Sequence, residues 1–110
     1  MDIKQHGNVT VAQMPVRLDS QTSREVEDAL QKIIGDGVKM VLCNFEKTQY
    51  ISSAGLRVLL GAAKNLKKEE GRLILCSTNT FVNEVIETSG LTTILKIFQS
   101  EESALKDFSQ

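Results

Sequence analysis

Hydrophobic residues follow two different spacings along this chain, one typical of strands and one typical of helices. Residues 3–5 and 9–14 are short strand-like segments, and the His6-Gly7-Asn8 sequence between them suits a tight turn. Further on, apolar positions recur with the i, i+3, i+4, i+7, i+8 spacing of a helix that buries one stripe, namely Val26, Ala29, Leu30, Ile33 and Ile34. The pattern therefore predicts a hairpin followed by a helix.

Both ends of this first helix carry boundary signals. Thr22 stands three residues before Glu25, which is the spacing of a capping box, so we expect the helix to begin at Thr22. The Gly-Asp-Gly sequence at residues 35–37 should end it. Pro15 cannot donate to a sheet and should interrupt strand pairing before the helix.

Strands and helices alternate through the remainder of the chain. Residues 38–45 are almost continuously apolar, which predicts a central strand covered on both faces. The pattern then predicts a helix over 53–70, a strand over 73–76, a helix capped by Asn79 or Thr80, a strand over 94–98 and a helix opened by Ser100. The expected core-facing residues of these three helices are Leu56, Leu59, Leu60, Ala63 and Leu66; Phe81, Val82, Val85 and Ile86; and Ala104, Leu105 and Phe108.

The order β-β-α-β-α-β-α-β-α predicts an α/β fold, with a mostly parallel sheet packed against helices, because parallel neighbours need crossover connections. We expect residues 1–110 to form a single domain. Binding surfaces in such sheets lie where strands lead into helices. The candidate junctions are residues 17–23, 44–55 and 77–80.

Charge and composition exclude several classes of function. The 110 residues include 13 Lys and Arg against 14 Asp and Glu, so the chain lacks the basic surface that nucleic acids require. No apolar run approaches the roughly 18 residues of a membrane helix, and the first residues do not resemble a signal peptide. We therefore expect a cytoplasmic protein that binds neither nucleic acid nor membranes.

Catalysis and cofactor binding have little support in the sequence. Cys43 and Cys76 lie in apolar runs without nearby ligands at metal-binding spacings, so we expect buried, inert thiols and no metal or cofactor. The single histidine, His6, lies in the predicted turn and is badly placed to activate a serine nucleophile. The chain is therefore predicted not to be an enzyme.

The most unusual junction places two hydroxyls before the second predicted helix. Ser52 and Ser53 precede Ala54 and Gly55, whose small size should leave both hydroxyls accessible. A phosphate on Ser53 would suit the unpaired amides and partial positive charge of a helix N-terminus. The alternative is that either serine merely caps the helix. The local chemistry leaves both interpretations open.

Residues 50–60 resemble the signature of the anti-sigma factor antagonists, the STAS-domain family. Leu18-Asp19 followed by Thr22, the apolar residues 41–45, and Ser89-Gly90-Leu91 extend the resemblance over nearly the whole chain. The resemblance implies a mixed, mostly parallel sheet backed by helices on one side.

The family's usual motif, Asp-Ser-Ser/Thr/Ala-Gly-Leu, implies that Ser53 is the phosphorylated residue. Ser52 stands where the family commonly has Asp and is a second candidate acceptor. Asp19 matches an acidic residue near the acceptor. The resemblance thus implies a partner-binding surface made of Asp19, Thr22, Ser52, Ser53, Ala54, Gly55, Leu56 and Arg57.

Partner switching is the mechanism that the resemblance implies. The unphosphorylated protein, expected as a monomer, would bind an anti-sigma factor that is a GHKL-type serine kinase and so release sigma factor. Phosphorylation would abolish binding until a PP2C-type phosphatase reversed it. The alternative is a STAS scaffold or regulatory subunit, in a stress-signalling assembly, a secretion or biofilm regulator, or a lipid-transport system, that phosphorylation does not control.

Overall fold

The computed structural model describes residues 1–109, which form strands and helices in nearly the predicted order. Two short strands and a 3-10 helix, Leu91–Thr93, are additional to that order. The strands are β1 (Ile3–His6), β2 (Val9–Gln13), β3 (Arg17–Leu18), β4 (Met40–Asn44), β5 (Tyr50–Ile51), β6 (Arg72–Cys76) and β7 (Lys96–Phe98). The helices are α1 (Ser23–Gly35), α2 (Ser53–Lys68), α3 (Thr80–Thr88) and α4 (Glu101–Phe108).

Five strands form the main sheet in the order β1-β2-β4-β6-β7. β1 pairs antiparallel with β2 across the turn formed by Gly7 and Asn8, where Gly7 has a φ of 62°. The other neighbours, β2 with β4, β4 with β6 and β6 with β7, are parallel. The predicted α/β class, the mostly parallel sheet and the central position of the 38–45 segment are therefore confirmed.

Apolar side chains cover both faces of the sheet, as the alternation along β4 and β6 requires. Val41, Cys43, Leu73 and Leu75 pack with α1, α2 and α3 on one face. Leu42, Ile74 and Cys76 alternate with them and pack with Ala104 and Phe108 of α4 on the opposite face. The expectation that all helices lie on one side is therefore wrong, because α4 covers a second apolar face.

The buried stripe of α2 differs from the predicted one by about one residue. Leu59 and Leu66 are buried as expected, whereas Leu56, Leu60 and Ala63 are only partly buried. The residues that face the core are Gly55, Val58, Leu59, Ala62 and Leu66. α2 also ends earlier than predicted, at Lys68, and the chain turns at Glu70, which has a φ of 61°.

The two cysteines are buried and unpaired, as predicted. Burial raises the pKa of the Cys43 thiol to about 12, which makes it unreactive at neutral pH. Among residues 1–109, no helix combines the length and the apolar character needed to cross a membrane.

Candidate functional site

A second, two-stranded sheet joins parts of the chain that are more than 30 residues apart. β3 and β5 pair in parallel, with Arg17 opposite Tyr50 and Leu18 opposite Ile51. The amide of Ser52 donates to the carbonyl of Leu18 at 3.0 Å and continues this ladder to the start of α2. Two of the predicted junctions, residues 17–23 and 44–55, are therefore in direct contact.

The third junction, residues 77–80, joins the same surface through side-chain hydrogen bonds. Asn79 Nδ2 donates to the carbonyl of Thr48 at 3.2 Å, and the buried Thr48 hydroxyl donates to the carbonyl of Pro15 at 2.7 Å. Asn79 Oδ1 also accepts from the amide of Val82 at 2.7 Å and so caps α3. The three junctions together form one surface at the carboxyl ends of the strands, which we call the candidate site.

Asp19 organises the turn that leads from β3 into α1. Its Oδ1 accepts from the amides of Gln21 and Thr22, at 3.0 and 3.2 Å, and its Oδ2 lies 3.2 Å from Arg17 Nε. Burial raises the pKa of the Asp19 carboxyl, but the Gln21 amide, the Arg17 guanidinium and the Thr22 amide together hold that pKa below its usual value. Asp19 is therefore an ionised, firmly positioned carboxylate.

The predicted capping box at Thr22 is wrong, although α1 does begin immediately after this residue. The Thr22 hydroxyl donates to the carbonyl of Arg17 at 2.7 Å and accepts from the amide of Asp19 at 3.0 Å, and it makes no bond to the amides of α1. The local turn centred on Asp19 has taken the hydroxyl that the box would need. Thr22 thus stabilises the Asp19 turn.

The two serines at the start of α2 occupy different environments. Ser52 is the N-cap residue, but its Oγ is buried and has no hydrogen-bond partner. Ser53 is the first helical residue and is exposed. The expectation that both hydroxyls are accessible is therefore wrong for Ser52, because this side chain turns inward without making a cap bond.

Gly55 permits the close contact between α2 and β3. A Cβ atom at this position would lie 2.7 Å from the carbonyl oxygen of Leu18 and 2.9 Å from Cγ1 of Ile51. The glycine therefore serves packing and not the exposure of the hydroxyls. Ala54 and Leu56 on either side are half-buried, and Arg57 is exposed.

Three side chains that belong to none of the predicted site residues form a stack beside them. The Arg17 guanidinium lies 4.3 Å from the ring centroid of Tyr50, whose ring stacks on Phe81 with centroids 5.8 Å apart. Phe81 is 48% exposed, so it is not the core residue that we expected. Val16, which precedes Arg17 in the sequence, is 49% exposed. The one feature of the sequence that could have indicated this stack is Tyr50, which is the single tyrosine of the chain and lies at the end of a predicted loop.

The candidate site is a surface and not an enclosed pocket. A recess of about 670 Å³ lies at the other end of the sheet, lined by His6, Met40, Leu105 and neighbouring residues, none of which belongs to the candidate site. Within residues 1–109, no group of three His, Cys, Asp or Glu side chains is arranged to hold a metal ion. The arrangement suits contact with another macromolecule.

The comparison with known protein families agrees with this geometry. The profile of the STAS domain matches residues 1–104. The chain belongs to the STAS domain family.

Individual STAS proteins resemble the chain along most of its length. A Bordetella bronchiseptica protein that carries the name anti-sigma factor antagonist BtrV is 36% identical over 91 residues, which are 83% of this chain and 78% of the relative. The crystal structure of a Thermotoga maritima protein described as an anti-sigma factor antagonist has a TM-score of 0.92 at 20% identity and covers 99% of this chain and 94% of its own. The phosphorylated form of Bacillus SpoIIAA has a TM-score of 0.76 at 22% identity, over 97% of both chains.

These matches confirm the family and the fold that the sequence predicted. The STAS fold places Asp19, Thr22, Ser53 and Arg57 on or beside the candidate site, together with the aromatic stack of Arg17, Tyr50 and Phe81.

Proposed function

We propose that this chain is an anti-sigma factor antagonist that acts by partner switching and is not itself an enzyme. Its unphosphorylated form binds an anti-sigma factor that is a GHKL-type serine kinase, and this binding releases sigma factor. The observation that carries the proposal is the exposure of Ser53 at the first turn of α2, within the candidate site of a STAS fold. The 36% identity to a protein named as such an antagonist supports the assignment.

Ser53 is the proposed phosphate acceptor. In the transfer, the Ser53 oxygen forms a bond to the γ-phosphorus of ATP as the bond to ADP breaks, and a base on the kinase takes the hydroxyl proton. A PP2C-type phosphatase would cleave the new bond with water and release inorganic phosphate. Exposure favours Ser53 over Ser52, because the Ser52 oxygen is buried and could be modified only if the start of α2 opened.

The effect of the phosphate on binding follows from its charge. A phosphoserine adds about −1.5 to −2 charges at neutral pH, and the helix N-terminus accommodates them without unfolding. The same charges become unfavourable when a partner surface covers and desolvates them. A cost of about 3 kcal/mol would weaken binding on the order of 100-fold, which is enough to release the partner.

The aromatic stack is the proposed anchor of the partner. Tyrosine and arginine are frequent at the energetic centres of interfaces, and this stack is held in place before binding by the β3–β5 ladder and by the ion pair of Arg17 with Asp19. Phe81 gives the stack exposed apolar area, and the exposed Val16 directly precedes Arg17 in the sequence. The proposed interface therefore joins the stack to Asp19 and to the exposed positions of α2.

The decisive experiment compares wild type with Ser53→Ala and Ser52→Ala. Each protein is incubated with native host lysate and Mg-ATP, phosphate is located by peptide mass spectrometry, and captured proteins are identified before and after the incubation. We expect phosphate at residue 53 of wild type and Ser52→Ala, with release of an anti-sigma factor. Ser53→Ala should capture the same partner and keep it in ATP.

A STAS module without a switch is the second candidate, and the serine at position 52, where the family commonly has Asp, is the feature that favours it. In that case an active kinase lysate would leave all three proteins unmodified, and ATP would not change partner capture. This result would contradict partner switching and would leave the serines as structural residues at the start of α2.

A further inference from the structure

The four arginines of the chain differ in what their guanidinium groups contact. Arg17, Arg24 and Arg72 each lie within 4 Å of a carboxylate, of Asp19, Asp28 and Asp107 respectively. Arg57 makes no such contact with any of residues 1–109, and its side chain is exposed. Arg57 therefore has no carboxylate partner among the described residues and is available to another anion.

Arg57 lies one helical turn beyond Ser53. The two residues are four positions apart in α2, so they share a face of the helix, with Cβ atoms about 6 Å apart. Both are exposed, while Gly55, Val58 and Leu59 face the core. The long arginine side chain can therefore reach back along the helix surface toward the Ser53 oxygen.

The order of the two residues also favours an ion pair. An anion that precedes a cation by four positions is the more stabilising arrangement on a helix, because it agrees with the helix dipole. The first turn of α2 contains no acidic residue that could occupy Arg57 instead. A guanidinium also presents paired donors that match two oxygens of a phosphate.

We propose that Arg57 is the intramolecular partner of a phosphate on Ser53. This inference rests on the proposed function, because it assumes that Ser53 is the modified residue. Phosphorylation then changes the surface in two ways: it adds a dianion at the start of α2, and it engages Arg57, which could otherwise meet a carboxylate of the anti-sigma factor. The switch acts through the loss of a cation as well as through the added charge.

A titration of the phosphate tests the pair without a kinase or a partner. Phosphoserine is placed at position 53 by an expanded genetic code, and the phosphorus NMR shift is followed with pH in the parent, in Arg57→Gln and in Lys64→Gln. The last variant is the matched control, because Lys64 is exposed on the same helix but lies roughly 16 Å from Ser53 along the helix axis. This distance exceeds the screening length of about 8 Å in physiological salt.

We expect the second phosphate pKa, near 6 for a free phosphoserine, to lie lower in the parent than in Arg57→Gln by at least about 0.3 units. Lys64→Gln should match the parent, and Arg57→Lys should keep part of the difference because it keeps the charge. Equal pKa values in Arg57→Gln and Lys64→Gln would overturn the proposal.

The outcomes separate this inference from the proposed function. Because the phosphoserine is encoded, the titration gives a result whether or not a host kinase modifies Ser53. Phosphate transfer to Ser53 in lysate, combined with no effect of Arg57 on the titration, would remove the Arg57 assignment and keep partner switching. Circular dichroism of every variant establishes that the fold is intact before the pKa values are compared.

Discussion

Gly55→Ala is the substitution for which the structure gives the clearest quantitative expectation. The new Cβ would lie 2.7 Å from the carbonyl oxygen of Leu18 and 2.8 Å from its Cγ, both closer than real contacts allow. The carbonyl cannot simply move aside, because it accepts a hydrogen bond from the amide of Ser52 at 3.0 Å. The start of α2 must therefore shift away from β3.

The expected loss of stability follows from two opposing effects. Overpacking a close contact of this kind costs about 1–3 kcal/mol. Alanine is a better helix former than glycine by about 1 kcal/mol, which offsets part of that cost. The net destabilisation should lie between about 0 and 2 kcal/mol, and each kcal/mol corresponds to a fall in Tm of roughly 4–8 °C for a chain of about this size.

Gly61→Ala is the matched control in the same helix. A Cβ at this exposed position meets nothing within 4 Å, so only the helix preference acts, and we expect stabilisation of about 0.5–1 kcal/mol. Urea unfolding at 25 °C gives both values, provided that the dependence on urea is the same in all three proteins. If Gly55→Ala proved as stable as Gly61→Ala, the close approach of α2 to Leu18 would be refuted.

Three further predictions concern the cap, an ion pair and the aromatic stack. Ser52→Ala should leave the free energy of unfolding unchanged or higher, because the buried hydroxyl makes no hydrogen bond. A destabilisation of about 1 kcal/mol in urea unfolding, as expected when an N-cap hydrogen bond is removed, would contradict the inward position of this hydroxyl. The ion pair with Lys4, at 2.9 Å, lowers the pKa of Glu101; burial opposes this shift and the Asn44 amide adds to it. Glu101 therefore contributes stability above its unfolded pKa of about 4.3, and this contribution is lost as the pH falls below that value. Glu101→Gln should therefore lose less stability than wild type when thermal unfolding is compared at about pH 5 and pH 3, and parallel losses would contradict the shift. Phe81→Ala should weaken capture of the partner about tenfold or more, with a stability loss of about 1 kcal/mol or less. Ile94→Ala is the control, because Ile94 is 55% exposed but lies outside the candidate site, and this variant should bind as wild type does. Equal binding by both variants would count against the stack as an anchor.

Long periodic segments explain why most of the fold could be predicted from the sequence. The stripe of Val26, Leu30 and Ile33 has the helical spacing and is buried in α1, and the continuous apolar run of β4 does lie at the centre of the sheet. β3 and β5 contain two residues each, which is too short for any periodicity, so their pairing had no local signal. The stripe of α2 was misplaced because it includes the buried Gly55, which adds no hydrophobicity and leaves no room for a Cβ beside Leu18.

In the candidate site, too, the sequence predicts features set by neighbouring residues but not contacts between residues far apart in the chain. The position of Ser53 at a helix start follows from its neighbours in sequence, and the structure agrees. The aromatic stack combines positions 17, 50 and 81, so only the folded chain brings it together. The capping box predicted at Thr22 does not form for a related reason, because the Thr22 hydroxyl makes its hydrogen bonds within the turn centred on Asp19.

The pairing of β3 with β5 bears on how the proposed kinase would recognise Ser53. A peptide that carries only residues 48–57 contains Ser53 but lacks Arg17 and Leu18, which the ladder pairs with the residues that lead into α2 in the folded chain. An enzyme that reads both segments would therefore recognise a three-dimensional surface and not a linear motif. Unfolding the domain would remove the substrate while leaving every residue of the motif in place.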